Sequence, residues 1–199
     1  IGGKRMRFHR DKTEDERKYY YPTNTLVTGP DIIFFWVARM IMAGMHFQKN
    51  IPFSDVYFTS IIRDVQGRKM SKSLGNSPDP LNVIKDYGAD ALRFTIIYLA
   101  PLGQDVLFST DKCELGRNFA NKIWNAGRFL LMNAENISMN NDLKNAHIDF
   151  ADEWIISRLN KTLLQLNKAM DEFEVNNAIK LIYSFIWNDF CDWYVEMIK

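Results

Sequence analysis

Residues 1–18 mix charges of both signs with little apolar periodicity, and predict no packed element. The first apolar run, Leu26 and Val27 within residues 24–28, reads as a short buried strand. Gly29-Pro30-Asp31 then turns the chain. Pro30 suits a first helical turn, where its missing N–H costs nothing, and Asp31 complements the positive end of the helix dipole. Residues 31–47 are apolar nearly all round, which predicts a buried helix. Residues 55–62, with Val56, Phe58 and Ile61, read as a second strand. Strand, helix and strand form a βαβ unit with a parallel pair. Residues 63–74 would leave the carboxyl end of the second strand, the edge where open α/β sheets bind ligands.

After Ser77-Pro78-Asp79-Pro80 the period becomes helical. Residues 80–87 and 89–99 read as two short helices divided by Gly88, with Pro101 and Gly103 stopping the second. Thr110 or Asp111 can cap a long helix to about Asn133, with Leu115, Phe119, Ile123, Ala126 and Leu130 in its apolar stripe. Residues 133–145 are asparagine-rich and read as a linker. Asp149 or Asp152 opens the next helix, with Ile155, Leu159, Leu163, Leu166 and Met170 on one face. A last helix starts near Val175 and carries Ile179, Ile182, Ile186, Phe190 and Tyr194. A tight turn between the two predicts an antiparallel hairpin.

Composition narrows the classes. A chain of 199 residues, 47% hydrophobic, fits one large domain or two small ones. A net charge of +1 argues against a cationic nucleic-acid coat, though not against a local basic face. Cys113 and Cys191 lack metal-ligand spacing and read as reduced core thiols of a cytoplasmic protein. His9, His46 and His147 are scattered, so no metal site is expected. No signal peptide is visible, and the apolar run 32–45 is too short for a bilayer and broken by Arg39. A start at Ile1 and a stop at Lys199 inside an amphipathic helix suggest an excised fragment.

The chemistry concentrates at Lys69-Met70-Ser71-Lys72-Ser73, between Gly67 and Gly75. Flanking glycines let such a loop move. Two ammonium groups can reach one polyanion together while the hydroxyls add hydrogen bonds, as a triphosphate would require. Taken alone, the five residues describe a solvated basic turn before they describe a site.

The surrounding residues extend the pattern. Residues 67–76, GRKMSKSLGN, with Asp79-Pro80 and Tyr87-Gly88-Ala89-Asp90-Ala91-Leu92-Arg93 downstream, resemble the second signature loop of the class I aminoacyl-tRNA synthetases and the segment that succeeds it in that class. Within the class, Val27 to Met40, Asn118 to Ala126 and Trp187 to Tyr194 are similar to segments of the valyl-tRNA synthetase family. The resemblance runs from about Tyr20 to Lys199. It implies an α/β part plus an all-α part: the second half of a Rossmann-like nucleotide-binding fold, a helical connector and the start of an anticodon-binding helix bundle. The expected divisions are a charged lead-in (1–19), the nucleotide-binding part (20–76), a connecting, stem-contact region (77–148) and the first anticodon-binding helices (149–199).

The activity implied is that of a valine–tRNA ligase fragment, with ATP and Mg²⁺ as cofactors, valine and its tRNA as partners, no membrane, and a monomeric state. Lys69 and Lys72 would stabilise the phosphates, with Lys72 the principal contact. Met70, Ser71, Ser73, Gly29 and Asp31 would complete the nucleotide contacts, Met70 as a packing anchor and Asp31 at the ribose. Asp31 by itself reads first as a residue that serves its helix. Arg117, Asn121, Lys122 and Arg128, beside Asn118 and Asn125, form a helix face that spacing alone describes as solvated and the resemblance assigns to tRNA phosphates. Trp187, Trp193 and Tyr194 could stack bases but are read as core. No pair of histidines has the class's His-x-Gly-His spacing, so this piece alone is not expected to complete the reaction. The competing readings are an isoleucyl or leucyl enzyme fragment, or a non-catalytic RNA-binding module.

Overall fold

A computed structural model describes residues 18–134 and 148–199. The lead-in through Arg17, His9, His147 and the linker expected beyond Ala134 lie outside the described residues. The chain divides into two compact units, Ile1–Thr59 and Ser60–Lys199.

In the first unit, β1 (Thr23–Thr28) and β2 (Phe53–Phe58) pair in parallel, with Leu26 opposite Val56 and Thr28 opposite Phe58. The helical run between them, α1 (residues 30–48), starts as a 3-10 turn at Pro30 and contains two π segments. Gly44 brings it close to the chain entering β2: a Cβ there would lie 2.6 Å from Tyr21 Oη and 3.1 Å from Asn50 O. The βαβ unit is as expected, but the all-round burial is not. Val37 and Gly44 are buried, whereas Phe34 and Phe35 are 81% and 71% exposed. Two strands can cover only one side of a helix, so an all-apolar helix leaves the other side bare. The strand itself is only half-covered, and Val27 is exposed.

In the second unit, β3 (Ile62–Arg63) pairs in parallel with β4 (Val106–Leu107). This corrects the second strand expected over 55–62: its end belongs to a different sheet. α2 (Pro80–Tyr87) begins at Asp79, whose side chain accepts the Leu81 N–H at 2.9 Å, and stops at Gly88 with φ +97°. α3 (Ala89–Leu99) comes directly after it. Val83, Val106, Phe108 and Cys113 form the buried core beneath them, flanked by Ile62, Met70, Leu92 and Ile96.

α4 (Cys113–Ala134) succeeds a 3-10 turn and packs closely on α3 at Gly116. α5 (Phe150–Asp171) is opened by a capping box in which Asp149 and Asp152 each accept the other's backbone N–H. Phe173, at φ +59°, turns the chain into α6 (residues 175–197), and the two helices pack as the predicted hairpin. Phe94, Phe119, Tyr183 and Trp187 join α3, α4 and α6 through ring contacts of 4.7 to 5.4 Å between successive centroids. Trp193 departs from the core reading and is 60% exposed.

Candidate functional site

The lysine loop is built on a buried carboxylate. Asp64, 7% exposed, lies just after β3 and begins a tight turn in which Gly67, at φ +79°, donates its N–H to Asp64 O at 2.9 Å. The returning chain bridges Lys69 to Arg63. The Asp64 carboxylate accepts the backbone N–H groups of Gln66 (3.0 Å) and Arg68 (2.9 Å), the Arg68 guanidinium (2.8 Å from Nε) and the Asn76 carboxamide (2.9 Å). These bonds stabilise the ionised form and hold the carboxyl well below the usual carboxylate range. Asn76 is the largest cause, followed among the lowering effects by Arg68, while burial opposes them.

Asn76 also accepts the Ser71 N–H at 2.9 Å. Ser71 Oγ accepts the Leu74 N–H at 3.2 Å and lies 3.1 Å from Ser73 Oγ. Gly75, at φ +64°, donates its N–H to Lys72 O at 3.2 Å. Lys72 thus begins a closed turn, with its side chain exposed. Met70 packs on the core cluster. Lys69, Met70, Ser71, Lys72 and Ser73 are therefore brought together on one anchored arc. It leaves β3 of the second unit, not the βαβ pair as expected, because β2 ends at Phe58.

Gly29 and Asp31 belong to the first unit. Nothing lies within 4 Å of a Cβ built on Gly29, which leaves open space at the end of β1. Asp31 is exposed in the first turn of α1, while the N-cap position belongs to Gly29.

On α4 the predicted face is divided. Arg117 pairs with Glu114 at 3.2 Å and lies over the Tyr87 ring, 5.4 Å from its centroid. Lys122 pairs with Asp192 and sits 4.1 Å from the centre of the Trp187 ring, docking α4 on α6. Asn121 and Arg128 are exposed, and Arg128 borders an apolar groove with Trp124 and Leu131. Asp64, Arg68 and Asn76 were not among the expected site residues. The one available signal was an Asp three positions before the Gly-Arg that opens the loop. Among the described residues, no three His, Cys, Asp or Glu side chains gather as metal ligands, and no helix is long and apolar enough to cross a membrane.

A family model described as tRNA synthetases class I (I, L, M and V) matches residues 5–109, more than half of the chain. The chain belongs to the class I tRNA synthetases. A second model, the anticodon-binding domain of tRNA ligase, matches residues 152–199. Among this family's curated members, the valine–tRNA ligase of Chlorobaculum tepidum is 59% identical over 93% of this chain and 22% of its own length. That of Fusobacterium nucleatum is 57% identical over 95% of this chain and 21% of its own. The chain thus spans about a fifth of the length of the curated relatives it matches. Solved synthetases share its fold. The Mycobacterium tuberculosis methionyl-tRNA synthetase bound by methionyl-adenylate superposes with a TM-score of 0.71 at 24% identity, over 95% of this chain and 37% of that one. The LeuRS–tRNA–LeuAMS ternary complex from Agrobacterium radiobacter gives 0.69 at 21% identity, over 82% of this chain and 22% of that one.

Proposed function

We propose that the chain is part of a cytoplasmic valine–tRNA ligase that activates valine with ATP and transfers it to tRNA. The observation that carries this reading is the anchored arc Lys69–Ser73, in a chain more than half identical to valine–tRNA ligases. In the first step the valine carboxylate oxygen attacks the α-phosphorus and the bond to pyrophosphate breaks. The carboxylate is already ionised, so the step needs alignment and neutralisation of charge on the leaving group, not a strong base. Lys72, presented by its closed turn, meets that charge, and Lys69 assists. Ser71 and Ser73 supply hydroxyl or backbone donors, and Met70 ties the arc to the core. Mg²⁺ bound with the nucleotide would supply further neutralisation of phosphate charge.

Within the first unit, Gly29 offers open backbone and Asp31 a carboxylate of the kind that takes ribose hydroxyls. Asn121 and Arg128, with Arg117 and Lys122 partly engaged in holding the helices, serve the tRNA backbone. The divisions at residues 19, 76 and 148 are part of the same proposal.

In the full-length ligase, Lys72→Ala should slow valine-dependent exchange of pyrophosphate into ATP by roughly 10²- to 10³-fold, the range for losing one transition-state charge contact. Valine binding measured by calorimetry should stay unchanged. An unaltered exchange rate would remove Lys72 from this role, and faster exchange with isoleucine or leucine would overturn the valine assignment.

A further inference from the structure

Besides Asp64, the loop is held by a side chain that is neither lysine. Asn76 uses one carboxamide to join three residues of the turn. Its Oδ1 accepts from Ser71 N at 2.9 Å, and its Nδ2 donates to Asp64 Oδ2 at 2.9 Å and reaches Lys69 O at 3.4 Å. The orientation of the amide is forced by chemistry. A carboxylate can only accept and a backbone N–H can only donate, so flipping the group would break both short bonds. Lys69 O and Ser71 N flank Met70, so the carboxamide grips the chain on both sides of the residue that seats the loop in the core.

We infer that Asn76 is a positioning residue for the lysine arc, transmitting the fixed geometry of the Asp64 turn to Lys69 and Lys72 so that both ammonium groups meet the departing pyrophosphate together. The inference rests on the valine–tRNA ligase reading and adds to it a residue that never touches the nucleotide. A loop that must still move while it is formed needs a latch made of few, directional bonds. One carboxamide between a buried carboxylate and a backbone amide supplies that, beside the apolar contact of Met70. The Asp64 side of the latch is rigid, because Gln66, Arg68 and the Gly67 turn hold it independently of Asn76.

The test replaces Asn76 in the full-length ligase. Asn76→Asp keeps the bond to Ser71 N but sets two carboxylates face to face. Asn76→Ala removes both bonds and leaves the Arg68 and backbone bonds of Asp64 in place. Rates are counted per active site by the burst of adenylate formed in the first turnover, so that loss of folded protein is not read as loss of positioning. Asn76→Asp should lower kcat for pyrophosphate exchange roughly tenfold to a hundredfold, the range for a buried polar group left without its partner, with the KM for valine unmoved. Asn76→Ala should lose a comparable factor, again in kcat and not in the KM for valine. Asn76→Ala and Asn76→Asp both matching the wild type would overturn the inference. The underlying reading is judged separately by Lys72→Ala. If that change abolishes exchange while the Asn76 variants do nothing, the ligase assignment stands and the latch falls.

Discussion

Asp64 draws its partners from three places in the sequence: its own turn, the guanidinium four residues on, and Asn76 twelve residues away. Because its pKa is depressed in the folded chain, it contributes stability that is fully present above the unfolded carboxyl value of about 3.9. That contribution is lost as the pH falls toward the folded value. Amide protection at Arg68 and Ser71, compared between wild type and Asp64→Asn, should differ clearly at pH 7, and the gap should narrow as the pH drops below about 4. A gap that stays constant on acidification would refute the carboxylate's role. The residues of the arc were legible in the sequence because two lysines and two serines stand within five consecutive positions. The hub was not. An aspartate and an asparagine twelve positions apart carry no periodic signal, and only the path of the turn brings them within 2.9 Å.

Helices and strands were legible where punctuation is local. Asp79-Pro80 and Gly88 bound α2 by capping and by backbone conformation alone, and the observed helix has the expected limits. The β3–β4 pair escaped because two-residue strands separated by more than 40 positions have no pattern of their own. The leucine face of α5 was misleading for a different reason. Leu159 and Leu163 are 39% and 42% exposed, while Ile155, Ala169 and, on α6, Ala178 are buried, so small residues close part of the hairpin. The same principle gives α4 a prediction with opposite signs at two glycines. Gly116→Ala would drive a Cβ to 2.4 Å from Ala91 O and 2.8 Å from Thr95 Oγ1, and should destabilise by about 1–3 kcal/mol. Gly127→Ala meets nothing within 4 Å and should stabilise the helix by up to about 1 kcal/mol. Urea unfolding midpoints of the two variants should fall on either side of the wild type.

At the scale of the whole chain, each unit keeps its own balance of covered and bare surface. The first places Phe34, Phe35 and Phe47 in solvent along one helix, an apolar display that should bind a hydrophobic dye such as ANS. Phe34→Ser with Phe35→Ser should lower that fluorescence severalfold, and unchanged fluorescence would refute the exposure. The second unit encloses Cys113 completely, at 0% exposure, in the cluster that seats Met70. Burial raises its pKa, so the thiol stays protonated and inert while the cluster is closed. Alkylation at Cys113 therefore times the opening of the floor beneath the lysine arc, and alkylation at the buried Cys191 times the opening of α6. Two native sulfur atoms act as stopwatches for two different parts of the molecule, readable by mass in a single experiment without any label being introduced.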